Sequence, residues 1–456
     1  MEVVGVGPWS GRAAPRAGPV RGRAGTVILV ALLLTAGALA ALAGGGTGDG
    51  APSRCPGLRI ASWSADDRTT GAFARYGDDP GRLDDWTGGD GTHSVRLPDG
   101  RILWLFSDSF LGRVHGPPNP AGQPHAWREA PPGGPAWVRN SAVVTTPSGR
   151  PERTLTGGTA AAPAPLFPDV SARPRHWRWP VQALVEPRTP GAAEQVVRVL
   201  LWTRTEGPPP WLYGVPEATE VATLSLPGLR LEGIERIHGP GGPDPGRRVL
   251  YGTTAVRRGG TTYVYGGDEG PGATPARPSS YAYLARVPTG SLADRSAWRY
   301  WDGSGWRRDP ARAHPVLGDG ARHGVGSAFS VVRRGRTWVL LTMDAGGPRA
   351  AGLSTVATYW ACSPQGPWRG PDRGFRAPLP PDSAPDPKTA AYSPQAHPEV
   401  GAGGRLLLSY DVNWLGPDST ALAHVNRNVS LYRPRFVRLR FGETAGGPPA
   451  PVRVPR

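Results

Sequence analysis

Trp86 to Gly112 reads WTGGDGTHSVRLPDGRILWLFSDSFLG, and the reading of this stretch decides the fold. Pro98-Asp99-Gly100 separates two runs of strand length, His93 to Leu97 and Arg101 to Phe106. Proline presets φ and glycine accepts the positive φ of a tight turn, so the pattern predicts a β-hairpin. One acid, Asp90, precedes the first run, and another, Asp108, follows the second. Antiparallel pairing brings those two ends together and places both acids at one edge of the sheet. Two carboxyl groups at one rim suit glycoside hydrolysis, where one donates a proton and the other serves as base or nucleophile. The plainer reading is a pair of turn residues capping strand ends.

The 456-residue chain carries 65 glycines and 54 prolines, with a hydrophobic fraction of 38% that suffices for a folded core. So many breakers between short apolar runs favour short strands over long helices, giving an all-β chain. Five strongly apolar runs recur: Ile102 to Phe106, Val196 to Trp202, Thr261 to Tyr265, Thr337 to Thr342 and Arg405 to Tyr410. Most have a further candidate strand on each side, and the groups lie about 60 to 100 residues apart. This spacing predicts four-stranded sheets repeated around an axis, a five-bladed β-propeller over residues 54–441. A pair of β-sandwiches accounts for the same strand count, but no linker divides the chain. The final alternation, Tyr432 to Phe441, is placed to return to the first sheet with Leu58 to Trp63 beside it. Residues 442–456, rich in Gly and Pro, read as a disordered tail.

Residues 1–45 stand apart. Arg12, Arg16, Arg21 and Arg23 precede an uncharged run from Ala24 to Ala43, the pattern of a signal peptide or of a transmembrane signal anchor. Ala41-Leu42-Ala43 offers a small-x-small cleavage site, while a run of about 20 residues is long enough to span a bilayer uncleaved. Both outcomes put the body of the chain, after a linker at 46–53, outside the cytoplasm, either secreted or held at the membrane by its N-terminal helix. There the two cysteines, Cys55 and Cys362, are expected to form a disulfide, the alternative being two free thiols. The formal net charge of +16 raises the question of a nucleic-acid partner, and the sequence argues against one. Lys388 is the single lysine, the arginines are dispersed, and no basic run accompanies stacked aromatics. A diffuse positive field instead suits an anionic surface polymer.

In a propeller the innermost strand of each sheet begins at one end of the central channel, so residues from remote segments converge there. The candidates are Asp90, Trp179 to Gln182, Tyr251 with Gly252, His323 to Ser327, and His397 with Glu399. In the working assignment Asp90 is the base or nucleophile, Glu399 the proton donor and Asp108 the carboxylate that orients or tunes them. Trp179, Gln182, Tyr251 and His397 would surround the sugar. The plainer roles are a backbone-bonded His397 ahead of Pro398, a solvated Glu399 and a core Trp179. Asp344 and Asp411 also follow apolar runs and read as turn caps. Asp302 in WDGSGW has part of the Asp-box turn of sialidases. No HExxH, GxSxG, phosphate loop or metal-ligand cluster occurs, so no cofactor is expected; a structural calcium ion on scattered carboxylates stays open.

Several strings in order strengthen this reading. The hairpin string from Gly88, RNSAVV (Arg139 to Val144), RWP (Arg178 to Pro180), YAYLARVP (Tyr281 to Pro288), WRYWDGSGW (Trp298 to Trp306), GPW (Gly366 to Trp368), AHPE (Ala396 to Glu399) and LLLSYDVN (Leu406 to Asn413) carry a family resemblance. They resemble secreted actinobacterial proteins grouped as domains of unknown function, which are similar to five-bladed propellers that include endo-D-arabinanases. The resemblance covers most of the chain after about Asp84 and implies the propeller fold, with Asp90, Asp108, His397 and Glu399 at the family's acidic and His-Pro-Glu motifs. It also implies Gly and Asp after the Trp-Pro motif, where this chain has Val181 and Gln182. An amide serves neither as acid nor as base near neutral pH. Two functions therefore stand. One is an extracytoplasmic, monomeric glycoside hydrolase acting on a cell-envelope or environmental polysaccharide, arabinan among them; the other is a non-catalytic glycan-binding or scaffold propeller at the cell surface.

Overall fold

The computed structural model describes residues 55–129, 137–172, 175–207, 214–239, 248–269, 281–320, 323–326, 328–344, 354–380, 388–401, 403–415, 418–444 and 449–454. The N-terminal segment read as leader and linker lies outside the described residues. Among the described residues no helix is long and apolar enough to cross a membrane.

Among the described residues seven antiparallel sheets form: two small ones, of which one joins Trp86–Gly89, Ser109–Leu111 and Trp137–Val138, and five larger ones that succeed one another along the chain. The first joins His93–Arg96, Ile102–Phe106, Ser141–Thr145 and Pro151–Leu155. The second is built on Arg175–Pro187, Gln195–Thr205, Val215–Leu224 and Leu231–His238, the third on Arg248–Arg258, Thr261–Glu269 and Ala282–Pro288. The fourth runs Ser330–Arg334, Thr337–Met343, Thr355–Ala361, Arg369–Arg376. The fifth orders Thr389–His397, Leu406–Trp414 and Arg435–Glu443, and its outer edge is Leu58–Ala65 from the start of the domain.

These sheets form a ring. His93–Arg96 touches Arg175–Pro187, which touches Arg248–Arg258, then Ser330–Arg334, then Thr389–His397, which returns to His93–Arg96. Each gap between neighbouring sheets holds its own apolar core. Leu103 and Leu105 meet Val197 and Val199, Leu200 meets Leu250, and Tyr265 meets Leu340. Leu341 meets Leu408, and Leu407 with Phe436 meets Trp104 and Phe106 to close the circle. Central strands packed on both faces must be apolar at every position, which is why Ile102–Phe106 reads ILWLF without alternation and is wholly buried. The architecture is therefore all-β, with five sheets set radially about a hub in the plan of a five-bladed propeller.

Two expectations are corrected. Arg435–Glu443 pairs with Leu58–Ala65 in the fifth sheet, not in the first, whose four strands are already supplied locally. The tail is not free: Val452 N–H donates to Trp368 O at 2.9 Å, Pro451 bridges Arg369, and Val452 packs on the core between the third and fourth sheets. Among the described residues two α-helices accompany the strands, and the first, Asp67–Asp78, is capped by Asp66 accepting from Thr69 N–H and buries Phe73 against Trp86, Trp104 and Phe436. The Cys55–Cys362 disulfide is formed and ties the entering segment to the end of the third strand of the fourth sheet.

Candidate active site

Asp90 lies just before the innermost strand of the first sheet, and Asp108 just after that strand's hairpin partner. The backbones of the two are laced together, with Asp90 N–H donating to Asp108 O at 3.3 Å and Ser107 N–H to Asp90 O at 2.7 Å. Gly91 follows at φ +67°, where a Cβ would stand 2.5 Å from Ser107 Oγ, so only glycine fits the corner. Its N–H donates to Asp411 Oδ2 at 2.8 Å, and Thr92 Oγ1 donates to Asp411 Oδ1 at 2.7 Å. Asp411 sits inside Leu406–Trp414 opposite Tyr392, whose hydroxyl donates to Asp90 Oδ2 at 2.8 Å. The Tyr432 hydroxyl, at the end of the 3-10 turn Val429–Tyr432, also donates to Asp90. Thus the first and fifth sheets bring three carboxyl groups and two phenols to one end of the hub.

The second sheet, through Trp179, and the segment before Ser141–Thr145, through Arg139, contribute on the other side of Asp108. Trp179 Nε1–H donates to Asp108 Oδ1 at 2.9 Å, and Arg139 Nη1 lies 3.3 Å from both carboxylate oxygens. The Arg139 guanidinium is itself held 4.4 Å from the ring centre of Trp137 and 4.3 Å from that of Trp177. Trp137 is 41% exposed and the Asp108 side chain 18%, so the group is reachable from solvent.

Burial sets the protonation of these acids and their neighbours refine it. Burial, then the charges of Asp108 and Asp411, push Asp90 well above the usual carboxylate range. Burial also raises Asp108, but there the Arg139 cation and the Trp179 N–H oppose it. Asp411 is pushed up from 3.8 to about 7 by burial, against the hydrogen bonds from Thr92 and Gly91. Two acids joined through their backbones thus lie in different electrostatic surroundings. That asymmetry is what general acid–base chemistry requires.

The residues singled out in the sequence divide. Asp90, Asp108 and Trp179 meet at the hub. Glu399 is not with them: its carboxylate accepts from Ser94 Oγ, and its nearest cation is Arg96. Ser94 lies inside strand His93–Arg96, beyond the Gly91 corner that follows Asp90. His397 is fully buried, with Nδ1 2.6 Å from Ser94 Oγ, Nε2 2.8 Å from Ser409 Oγ and its ring against Trp104. Burial drives it down to about 3, so it is a neutral core histidine and lines no open surface. Tyr251 is packed between the second and third sheets against His238 and Tyr300, also away from solvent. Gln182 is partly exposed on the innermost strand of the second sheet, after a bulge at Pro180. His323 pairs with Asp319 at 2.6 Å. Asp302 accepts from Ser304 and Gly305 N–H, a turn cap.

Asp411, Tyr392, Tyr432 and Arg139 escaped the sequence reading as site residues. The signal for Asp411 was present: an acid followed by Val412, Asn413 and Trp414 continues the apolar strand instead of ending it. Among the described residues no group of three His, Cys, Asp or Glu is arranged to hold a metal ion.

Fold and site together define an all-β, ring-shaped protein with a buried, asymmetric carboxyl cluster at its hub. The chain belongs to the DUF5005 family, a domain of unknown function, whose model matches residues 74–441. No functionally curated protein matches it. Among solved structures it is similar to a putative hydrolase from Bacteroides ovatus, at 19% identity over 85% of this chain and 93% of that one, with a TM-score of 0.61. Looser likenesses are to the GH43_1 enzyme from Xanthomonas citri complexed with xylose, at 13% identity over 86% and 97% of the chains and a TM-score of 0.40. CoXyl43, a GH43 β-xylosidase/α-arabinofuranosidase from a compost metagenome, is 12% identical over 81% and 94%, with a TM-score of 0.39. At 19% identity the first of these likenesses speaks for the fold alone.

Proposed function

We propose that this protein is a glycoside hydrolase working outside the cytoplasm on a polysaccharide, arabinan being one substrate to try, with Asp90 and Asp108 as its working carboxyl groups. The observation that carries the reading is the backbone-paired couple Asp90–Asp108 with Arg139 and Trp179 on one member only. Asp108, beside a cation and an N–H donor, is the ionised member and serves as base or nucleophile. Asp90, whose charged neighbours are Asp108 and Asp411, holds the proton and gives it to the leaving oxygen. This reverses the role that the sequence alone suggested for Asp90 and relieves Glu399 of the donor's part. Burial keeps Asp90 protonated, the charges of Asp108 and Asp411 add to it, and Tyr392 and Tyr432 orient the Asp90 carboxyl. Trp137 and Trp179 supply the aromatic surface that sugar rings pack on. Export is supported by the basic-then-apolar leader and by the Cys55–Cys362 disulfide, which persists in oxidising compartments.

A second reading has one observation in its favour. Both oxygens of Asp108 are already within 3.3 Å of Arg139, and Asp90 is occupied by Tyr392 and Tyr432. Acids so fully engaged also suit a propeller that binds glycan without cutting it. Reducing-end release from a panel of arabinan, xylan, galactan and wall polysaccharide separates the two. Hydrolysis by the wild-type protein that is lost in both Asp90→Asn and Asp108→Asn supports the enzyme. Undiminished release by either variant removes that residue from the chemistry, and saturable binding with no product favours the binding protein.

A further inference from the structure

A second site lies at the opposite end of the same inner strand. A groove of about 610 Å³ runs between helix Asp67–Asp78, the turn Pro147 to Arg150 and the far end of the first sheet. Arg68, Thr69, Ala72, Arg75, Tyr76 and Asp79 face it, and their spacing is that of one face of a helix. Arg96 and Arg150 reach it from the other wall, so four guanidinium groups share the groove with one carboxylate, Asp79.

Two of these arginines are held by backbone carbonyl groups. Arg96 donates from Nε and Nη2 to Glu399 O at 3.1 and 2.7 Å and from Nη1 to Gly100 O at 3.0 Å. Arg68 donates from Nη2 to Ser148 O at 3.2 Å. Neither they nor Arg75 has a carboxylate partner among the described residues, whereas Arg150 has Glu152 at 3.4 Å. Carbonyl groups fix a guanidinium without cancelling its charge, so the groove keeps a positive potential. Arg96 ends strand His93–Arg96 on the side away from Asp90, and no residue of the acid cluster lines the groove, so this site is separate from it.

We propose that this groove binds an acidic glycan, one with carboxylate or phosphate groups repeated along its chain. Arg68 and Arg75 are seven helical residues apart, about 10 Å along the axis. A single anion cannot bridge them, but successive charges on a polymer can. Nucleic acid fits less well, because the aromatic rings of the groove are engaged: Tyr76 is half-buried with its hydroxyl on Thr154, and Trp104 at the floor is 2% exposed. The proposal does not depend on the hydrolytic reading of Asp90 and Asp108.

The test is titration calorimetry of the full chain with three probes at low and moderate salt: an oligogalacturonate, poly(glycerol phosphate) and a single-stranded DNA of matched charge. The expected result is saturable binding of one or both of the first two, weakened at least about tenfold in an Arg68→Gln/Arg75→Gln protein and unchanged in Asp108→Asn. The tighter of the two probes identifies the anion. Both arginines are exposed, and a thermal melt matching the wild type confirms that the double variant is folded. The single Arg75→Gln variant, expected to weaken binding severalfold, gives an independent check. Absence of binding to both glycan probes at low salt, binding untouched by the double variant, or tighter binding of the DNA would each overturn the proposal.

Discussion

Replacing Glu399 by Gln is expected to stabilise the protein at pH 8 and to leave its stability unchanged at pH 4. Burial pushes the Glu399 carboxyl from its ordinary 4.5 up to about 7, only partly opposed by the Ser94 hydroxyl and by Arg96. A group whose pKa is raised on folding favours the native state most when both states are protonated. Its contribution is complete below about pH 4.5 and is lost as the pH rises through about 7. A shift of some 2.5 units corresponds to about 3 kcal/mol at most. Glutamine has the same shape, still accepts from Ser94 and has no charge to bury. The difference between variant and wild type should therefore grow from zero at pH 4 to about 3 kcal/mol at pH 8. An unfolding entropy of about 2 cal/mol/K per residue makes that roughly 3 to 4 °C in Tm for a domain of this length. His93 and His397, both driven down to about 3 by burial, add an acid-side loss of stability, but it is common to both proteins and cancels in the comparison. Paired calorimetric scans from pH 4 to 8 make the measurement. A pH-independent difference, or a variant less stable at pH 8, would refute the argument, and loss of hydrolysis in the variant would return Glu399 to the chemistry.

Asp411→Asn removes a negative charge beside Asp90 while keeping an acceptor for the Gly91 N–H, so the pKa of Asp90 should fall. The alkaline limb of the pH–activity profile should move to lower pH, and an unmoved limb would mean that Asp90 is not the proton donor. Gly91→Ala forces a Cβ to within 2.5 Å of Ser107 Oγ at a left-handed φ of +67°. It should cost about 1–3 kcal/mol in denaturant melts and lower kcat by displacing Asp90, and an unchanged melt would show that the corner relaxes. The Cys55→Ser/Cys362→Ser protein should lose up to about 5 kcal/mol from reopening a loop whose ends are 307 residues apart. Equal unfolding midpoints with and without reductant in the wild type would contradict that.

Local rules carried the hairpin. Pro98-Asp99-Gly100 fixes a turn, the flanking runs fix the strands, and antiparallel geometry then forces Asp90 to Asp108. The five buried runs likewise declared five sheets, because a strand packed on both faces leaves an unbroken apolar word in the sequence. Contacts set by ring closure left no such mark. Leu58–Ala65 joins the fifth sheet because the ends of the domain meet there, a choice made by topology and not by the strand's own residues. Glu399 and Tyr392 lie seven residues apart on one segment, and the choice of which reaches Asp90 depends on where the inner strand of the fifth sheet slides against that of the first. The His-Pro-Glu string lies at the end of the inner strand away from Asp90. Tyr392 carries no motif, and an acid after an apolar run, as Asp411 is, usually caps a turn.

A raised carboxyl pKa does not by itself distinguish a working acid, since Glu399 has one too. The hub differs in what the chain invests there. Asp411 alone, raised from 3.8 to about 7, opposes folding by about 4 kcal/mol above neutral pH, and Asp90 and Asp108 are pushed in the same direction beside it. A fold seeking only stability would replace such a group with apolar side chains. Instead four remote segments, around Asp90, Arg139, Trp179 and Asp411, each supply a donor or an acid to the same few ångströms, and only Asp108 receives a cation. Glu399, in contrast, meets one hydroxyl and the edge of one arginine, as an isolated buried acid would. The cluster is tolerated because five interlocked sheet interfaces over-determine its positions. A cost borne at the hub, with one acid set apart from its partner, fits the proposed chemistry better than packing alone.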